Sequence, residues 1–131
     1  MRARLLLAAA IVLALSATGS AHHSFFSYYH EDQINSYSGQ LVRLRLISPH
    51  SWVHIEVRSN DGTPRTYEAE WVSAVRLART QFDKDTLKIG DQIVITASPA
   101  RDPESNHIHL KTIERPSDGW RWVGRRPDNT R

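Results

Sequence analysis

Tyr67-Glu68-Ala69-Glu70-Trp71 and, just after it, Ser73-Ala74-Val75-Arg76-Leu77-Ala78 hold the change of period that decides the fold. In the first segment Tyr67, Ala69 and Trp71 alternate with two glutamates. A period of two lets a strand bury one face and wet the other. In the second, Ser73 can cap a helix whose apolar side is Val75, Leu77 and Ala78. It is the one stretch of the mature chain whose pattern predicts a helix.

Working outward, the strand pattern recurs on both sides. Upstream, Val42, Leu44 and Leu46 alternate with Arg43 and Arg45, and Val53, Ile55 and Val57 alternate with His54 and Glu56. Downstream, Ile93, Ile95 and Ala97 form a fourth set, and Ile108 and Leu110 alternate with His109 and Lys111 in a weaker fifth. Ser48-Pro49-His50-Ser51 divides the first two runs, since Pro cannot continue the ladder of a central strand. Asn60-Asp61-Gly62 supplies a hairpin turn before the third. Leu87-Lys88-Ile89-Gly90-Asp91 turns into the fourth, and a polar loop from Ser98 to Asn106 precedes the fifth. Three strands, a helix and two strands is the order of an OB-like domain, all-β with one short helix in a five-stranded partly open barrel. A generic small sandwich is the alternative; the position of the helix favours the barrel.

The ends set the context. Arg2 and Arg4 form a positive start, Leu5 to Leu15 is unbroken and apolar, and Ser16 to Ala21 is small and weakly polar. That is the layout of a cleavable secretory signal. Its apolar core is shorter than the roughly 20 residues a spanning helix needs, so no transmembrane segment is expected after cleavage. No Cys follows it, so the pattern is not that of a lipid-anchored lipoprotein. Cleavage fits best after Ala21, with Gly19 and Ala21 as the small residues at the cut, and a cut after Ser20 is the second choice. The expected division is a signal peptide over 1–21, an N-terminal arm over 22–36, the OB-like domain over 37–115 and a C-terminal tail over 116–131. The expected location is periplasmic or secreted.

Removing the signal alters the charge argument. The whole chain has 17 Lys+Arg against 14 Asp+Glu, and Arg2 and Arg4 leave with the signal. The mature balance is close to neutral, which argues against a nucleic-acid partner. With no Cys the domain must rely on a packed core. About 110 residues suffice for one such core. The arm residues Phe25, Phe26, Tyr28 and Tyr29 most simply cover an edge or an end of it. Trp120-Arg121-Trp122-Val123 reads as a final edge segment before a basic end.

The segments Ala21-His22-His23-Ser24-Phe25, Tyr37-Ser38-Gly39-Gln40-Leu41, Pro49-His50-Ser51-Trp52, Thr86-Leu87-Lys88-Ile89-Gly90-Asp91 and Asp118-Gly119 carry a resemblance. In them the chain resembles a family of small exported bacterial proteins of unknown function, whose mature chains open with AHHSF and contain an Asn-Pro-His-x-Trp turn. It departs from that pattern at Ser48, where the family usually has Asn, and at Ile89, where it usually has Pro. The resemblance implies an exported OB-like domain and brings no known activity with it.

Seven His without a Cys invite a metal reading, because imidazole suits copper, zinc and nickel. A cut after Ala21 lets His22 offer its α-amine and a ring nitrogen to one ion, with His23 beside it. A cut after Ser20 makes His23 the third residue, and amine, two amides and imidazole form the square-planar set that Cu(II) prefers. The alternative is that both His merely begin a disordered arm. His50 lies in the loop joining strands one and two, and His107 follows the loop joining strands four and five; these loops flank the usual groove of the fold. The candidate ligands are therefore His22, His23, His50 and His107, with copper or zinc as the ion. His107 and His109 share a strand face. His54, near Glu56 and facing Glu68 and Glu70, reads better as part of a solvated His/Glu face. Arg43 and Arg45 with Trp52 and Tyr67 could form a strand-binding groove, yet the glutamates among them oppose it.

No Gly-x-Ser-x-Gly, His-Glu-x-x-His, phosphate-cradling loop or Cys nucleophile is present, so no enzyme is expected. The sequence thus points to an exported, non-enzymatic OB-like binding domain with copper or zinc at its N-terminal histidines. The competing class is an envelope protein-interaction module with no metal site. The physiological ligand or envelope partner is not named by any motif.

Overall fold

The computed structural model describes residues 25–80, 82 and 84–124. The expected signal peptide, His22 and His23 lie outside these residues. A short helix α1 (Phe25–Tyr28) comes first, followed by β1 (Asn35–Arg45), β2 (Ser51–Arg58), β3 (Pro64–Trp71), a second short helix α2 (Ala74–Ala78), β4 (Gln92–Pro99), β5 (His107–Arg115) and β6 (Trp120–Val123). Ser73 caps α2 as the sequence suggests, its Oγ accepting a bond from the Arg76 N–H at 3.2 Å. Leu77 is the residue of α2 that reaches the core.

The strands run in the order β3-β2-β1-β4-β5-β6, and β3 also pairs with β5. That extra pairing closes the first five strands into a barrel and leaves β6 as an additional strand on β5. The barrel is therefore closed, where the sequence suggested a partly open one. Its closing seam is short and parallel, with Glu68, Ala69 and Glu70 in register with His107, Ile108 and His109. The helix lies between β3 and β4, as expected for an OB-like order of elements.

β1 serves both halves of the barrel. Asn35 to Gln40 pair with β4, and Gln40 to Arg45 pair with β2. At the crossover Gly39 runs so close to β2 that a Cβ there would lie 2.1 Å from the Glu56 carbonyl oxygen. Only glycine fits. The register against β2 then slips between Leu41 and Arg43. This bulge explains a departure from the sequence pattern. Leu41 is fully buried, whereas Val42, the first member of the expected apolar face, is only half-buried, and Leu44 packs against the rim of the core. An inserted residue changes which side chains point inward.

A second shift lies between β4 and β5, where Thr96 pairs with Thr112 but Ala97 with Leu110, so the buried residues of β5 step from Leu110 to Ile113. In β2 and the inner half of β3 the period of two holds. Val53 and Ile55, Ala69 and Trp71, Ile93, Ile95 and Ala97, and Ile108 and Leu110 are all buried in one core. Each large aliphatic side chain so buried contributes about 1.5–3 kcal/mol. Trp71 meets Phe82 and Trp122 edge-on, at 5.0 and 5.1 Å between ring centroids. Trp122 and Trp120 thus join β6 to the core. The turn ahead of β2 is braced by the buried Ser51, whose Oγ donates to the Ile47 carbonyl at 3.1 Å. The β2–β3 turn places Gly62 at φ 83°, as a hairpin glycine should be.

Candidate functional site

Alternation along β2, β3 and β5 sends one set of side chains into the core and the other onto a continuous outer face. Register assembles that face into rows. Arg43, His54, Glu68 and His107 are successive cross-strand neighbours, and so are Arg45, Trp52, Glu70 and His109. Adjacent residues in such rows touch, so acid and imidazole are paired by topology alone.

His107 and His50 occupy two different places on this face. His107 Nε2 lies 3.6 Å from Glu68 Oε2, and its ring packs against Trp52 at 5.2 Å. His50, one residue before β2, has its Nδ1 3.2 Å from Glu70 Oε1. Among the described residues no group of three or more His, Cys, Asp or Glu side chains is gathered to hold a metal ion. His50 and His107 are each served by their own glutamate instead.

Arm residues cover the end of the face nearest His50. Tyr29 is buried and donates to Glu70 Oε2 at 2.6 Å. Burial and this bond to a carboxylate push its phenol well above the ordinary value. Glu31 reaches β5, where its Oε1 is 2.7 Å from His109 Nδ1 and its Oε2 accepts from Lys111 Nζ at 2.5 Å. Burial works to raise the Glu31 pKa, but the bonds from Lys111 and His109 outweigh it and hold the carboxyl below its usual range. For His109 burial dominates and lowers the pKa, against the pull of Glu31. The arm is thus bonded to β3 through Tyr29 and to β5 through Glu31, one on each side of the closing seam.

Phe25 completes the cover. Its ring stacks on His109 at 3.8 Å and 8° between planes, and meets His50 edge-on at 5.6 Å. The start of the β4–β5 loop holds α1 in place. Arg101 donates from Nε to the Phe26 carbonyl at 2.7 Å and from its backbone to Tyr28 at 2.9 Å, while His30 N–H donates to Pro99. Phe26 and Tyr28 face outward. Of the four arm aromatics, Phe25 and Tyr29 do cover the barrel, but over the outer side of its closing seam, on His50, His109 and Glu70, and not over an open edge or an end of the core cluster.

His54 lies in the middle of the face with its Nε2 buried and unpartnered among the described residues. Burial lowers its pKa, although Glu68 pulls the other way. The sequence reads His54 as part of a solvated His/Glu face; its cross-strand pairing with Glu68 is there, but the far side of the ring is buried and not solvated. Ser98 Oγ is likewise buried and unpartnered; it stands opposite His109 in the β4–β5 register. Sequence reasoning placed His109 beside His107 but missed Glu31, Lys111 and Tyr29 as its surroundings. Glu31 sits in a lead-in without period, and its partners are 78 and 80 residues away. No local pattern could announce them.

Among the described residues no helix is long and apolar enough to cross a membrane. No curated protein and no solved structure matches the chain. Residues 9–109 do match a family, one described as a family of unknown function (DUF6152). That span covers most of the sequence, from before the arm to His109 on the outer face, and the chain belongs to this family.

Proposed function

We propose that this chain is an exported, non-enzymatic binding domain of the periplasm or the exterior, whose mature N-terminus binds copper or zinc through His22 and His23. One observation supports the metal reading above the others. Phe25 is packed between His50 and His109, and His23 and His22 precede it by only two and three residues. Three residues of chain span at most about 10 Å. With Phe25 anchored on that surface, residues so near it in sequence lose less entropy on closing around an ion than they would on an unanchored chain.

The mixed signs of the outer face weigh against an oligonucleotide. Glu68 and Glu70 lie in register beside His54 and Trp52, where a phosphate chain would have to run.

The test uses natively processed protein. Its first residue is fixed by mass spectrometry, and Cu(II) and Zn(II) are titrated into it and into a His22→Ala/His23→Ala variant. Tight binding by the native chain, lost in the variant, is the expected result. Equal binding by the two removes the terminal site and favours the envelope protein-interaction module. Support for that module comes from Phe26, which is 65% exposed on the docked arm.

A further inference from the structure

The outer face orders its charges by strand. Arg43 and Arg45 stand on β1, His54 and Trp52 on β2, and Glu68 and Glu70 on β3, paired row by row. Positive, central and negative columns thus lie side by side, about 5 Å apart. Burial above all, with Arg43 and Arg45 adding to it, lowers the His54 pKa against the pull of Glu68. The central column therefore carries no charge at neutral pH.

Within one chain the two outer columns leave each other unsatisfied. Arg43 and Glu68 are two strands apart, about 10 Å. Among the described residues the side chains of Arg43 and Arg45 are exposed and make no ion pair or hydrogen bond. Glu68 is 43% exposed at its side chain and has the His107 imidazole at 3.6 Å, but no Lys or Arg among the described residues. Glu70 is only 16% exposed and already holds His50 and Tyr29. Between the columns Trp52 is half-buried, its ring against His107.

This arrangement is complementary to itself. A second copy related by a two-fold axis along β2, in the plane of contact, lays its β1 over β3 and keeps every row at its level. Arg43 of each copy then faces Glu68 of the partner subunit, the two Trp52 rings meet on the axis, and uncharged His54 meets its own copy without repulsion. A two-fold axis across the strands would set arginines over arginines and glutamates over glutamates, and like charges repel. We propose that two copies of this chain dimerise through the outer face of β1, β2 and β3, with reciprocal Arg43–Glu68 ion pairs flanking a Trp52 contact. The same patch serves both copies, so the assembly closes at two. The outside of a barrel is convex, and the docked arm borders the face at Glu70 and His109. The interface is therefore narrow and the dimer reversible. It needs no metal at the N-terminus and stands apart from that reading.

Sedimentation velocity of the natively processed chain, from about 10 μM to about 1 mM, spans the range in which a small interface dissociates. A concentration-dependent dimer is expected, weaker as salt screens the ion pairs. Arg43→Glu and Glu68→Arg should each raise its dissociation constant about a hundredfold or more, because like charges then face each other. Mixed in equal amounts, the two variants should dimerise again, since one copy presents two acids where the other presents two bases. Recovery on mixing also shows that both are folded. Trp52→Ala should weaken the dimer about tenfold or more. A native chain that stays monomeric throughout overturns the proposal, and so does a dimer that both reversals leave unchanged. Two variants with native circular dichroism that do not associate when mixed overturn it as well. If a reversal unfolds the chain, Arg43→Gln and Glu68→Gln replace it, and a dimer of native strength in either overturns the proposal.

Discussion

Tyr29 donates a 2.6 Å hydrogen bond to Glu70 across forty-one residues of sequence. The bond joins the arm to β3 and lies largely out of solvent. Hydrogen bonds to charged groups contribute about 1.5–3 kcal/mol. Tyr29→Phe should therefore lower the stability of the folded chain by about that much, read from urea unfolding. An unchanged midpoint would show that the arm is not bound through this contact.

The arm should also loosen with acid, with a definite sign. His109 has a folded pKa below its ordinary value of 6.5, and Glu31 has one below 4.5. In both cases the unfolded chain takes up protons first as pH falls. The stability they contribute is complete above the unfolded pKa and declines as pH drops toward the folded one. His54 acts in the same direction as His109. The unfolding midpoint should thus fall between pH 7.5 and 5.5 and fall again below pH 4.5. His109→Gln should flatten part of the first decline. A midpoint that rises on acidification would contradict the assignment.

Gly39→Ala tests the crossover of β1. The added methyl would meet the Glu56 carbonyl oxygen at 2.1 Å, and neither strand can move without disturbing its neighbours. Overpacking of this kind costs about 1–3 kcal/mol. The thermal transition should drop accordingly, with the secondary-structure spectrum retained.

Trp71→Ala should be more damaging. The indole is 2% exposed and packs against Phe82 and Trp122. Large aromatic truncations in cores cost about 3–5 kcal/mol. Intrinsic fluorescence during unfolding would report the loss directly, because Trp120 and Trp122 remain as probes.

Much of the barrel was legible because its signals are local. Val53 and Ile55, or Ile93 and Ile95, announce a strand face by spacing alone, and Ser73 announces the start of α2. The phase of β1 was not legible. The bulge after Leu41 depends on how β1 crosses between β4 and β2, which no period within β1 encodes. The same holds for the outer face. His50 and His107 stood out by type and loop position, yet Glu68 reaches His107 through the β3–β5 register and Glu70 reaches His50 from the neighbouring strand beyond the end of the β2 ladder. Glu31 and Lys111 are tied to each other by tertiary structure across 80 residues.

The closing seam of three register pairs between β3 and β5 carries one more consequence. It is the shortest of the pairings that make the cylinder, and Tyr29 and Glu31 grip it from outside. An aminopeptidase that trimmed the chain past Glu31 would strip away that grip. The wall could then unroll into a curled ribbon with two bare backbone edges, the form in which small β-proteins stick to one another. Ageing of this protein by N-terminal erosion should therefore end in self-association, seen as larger species on size-exclusion chromatography of a chain that begins at Asp32.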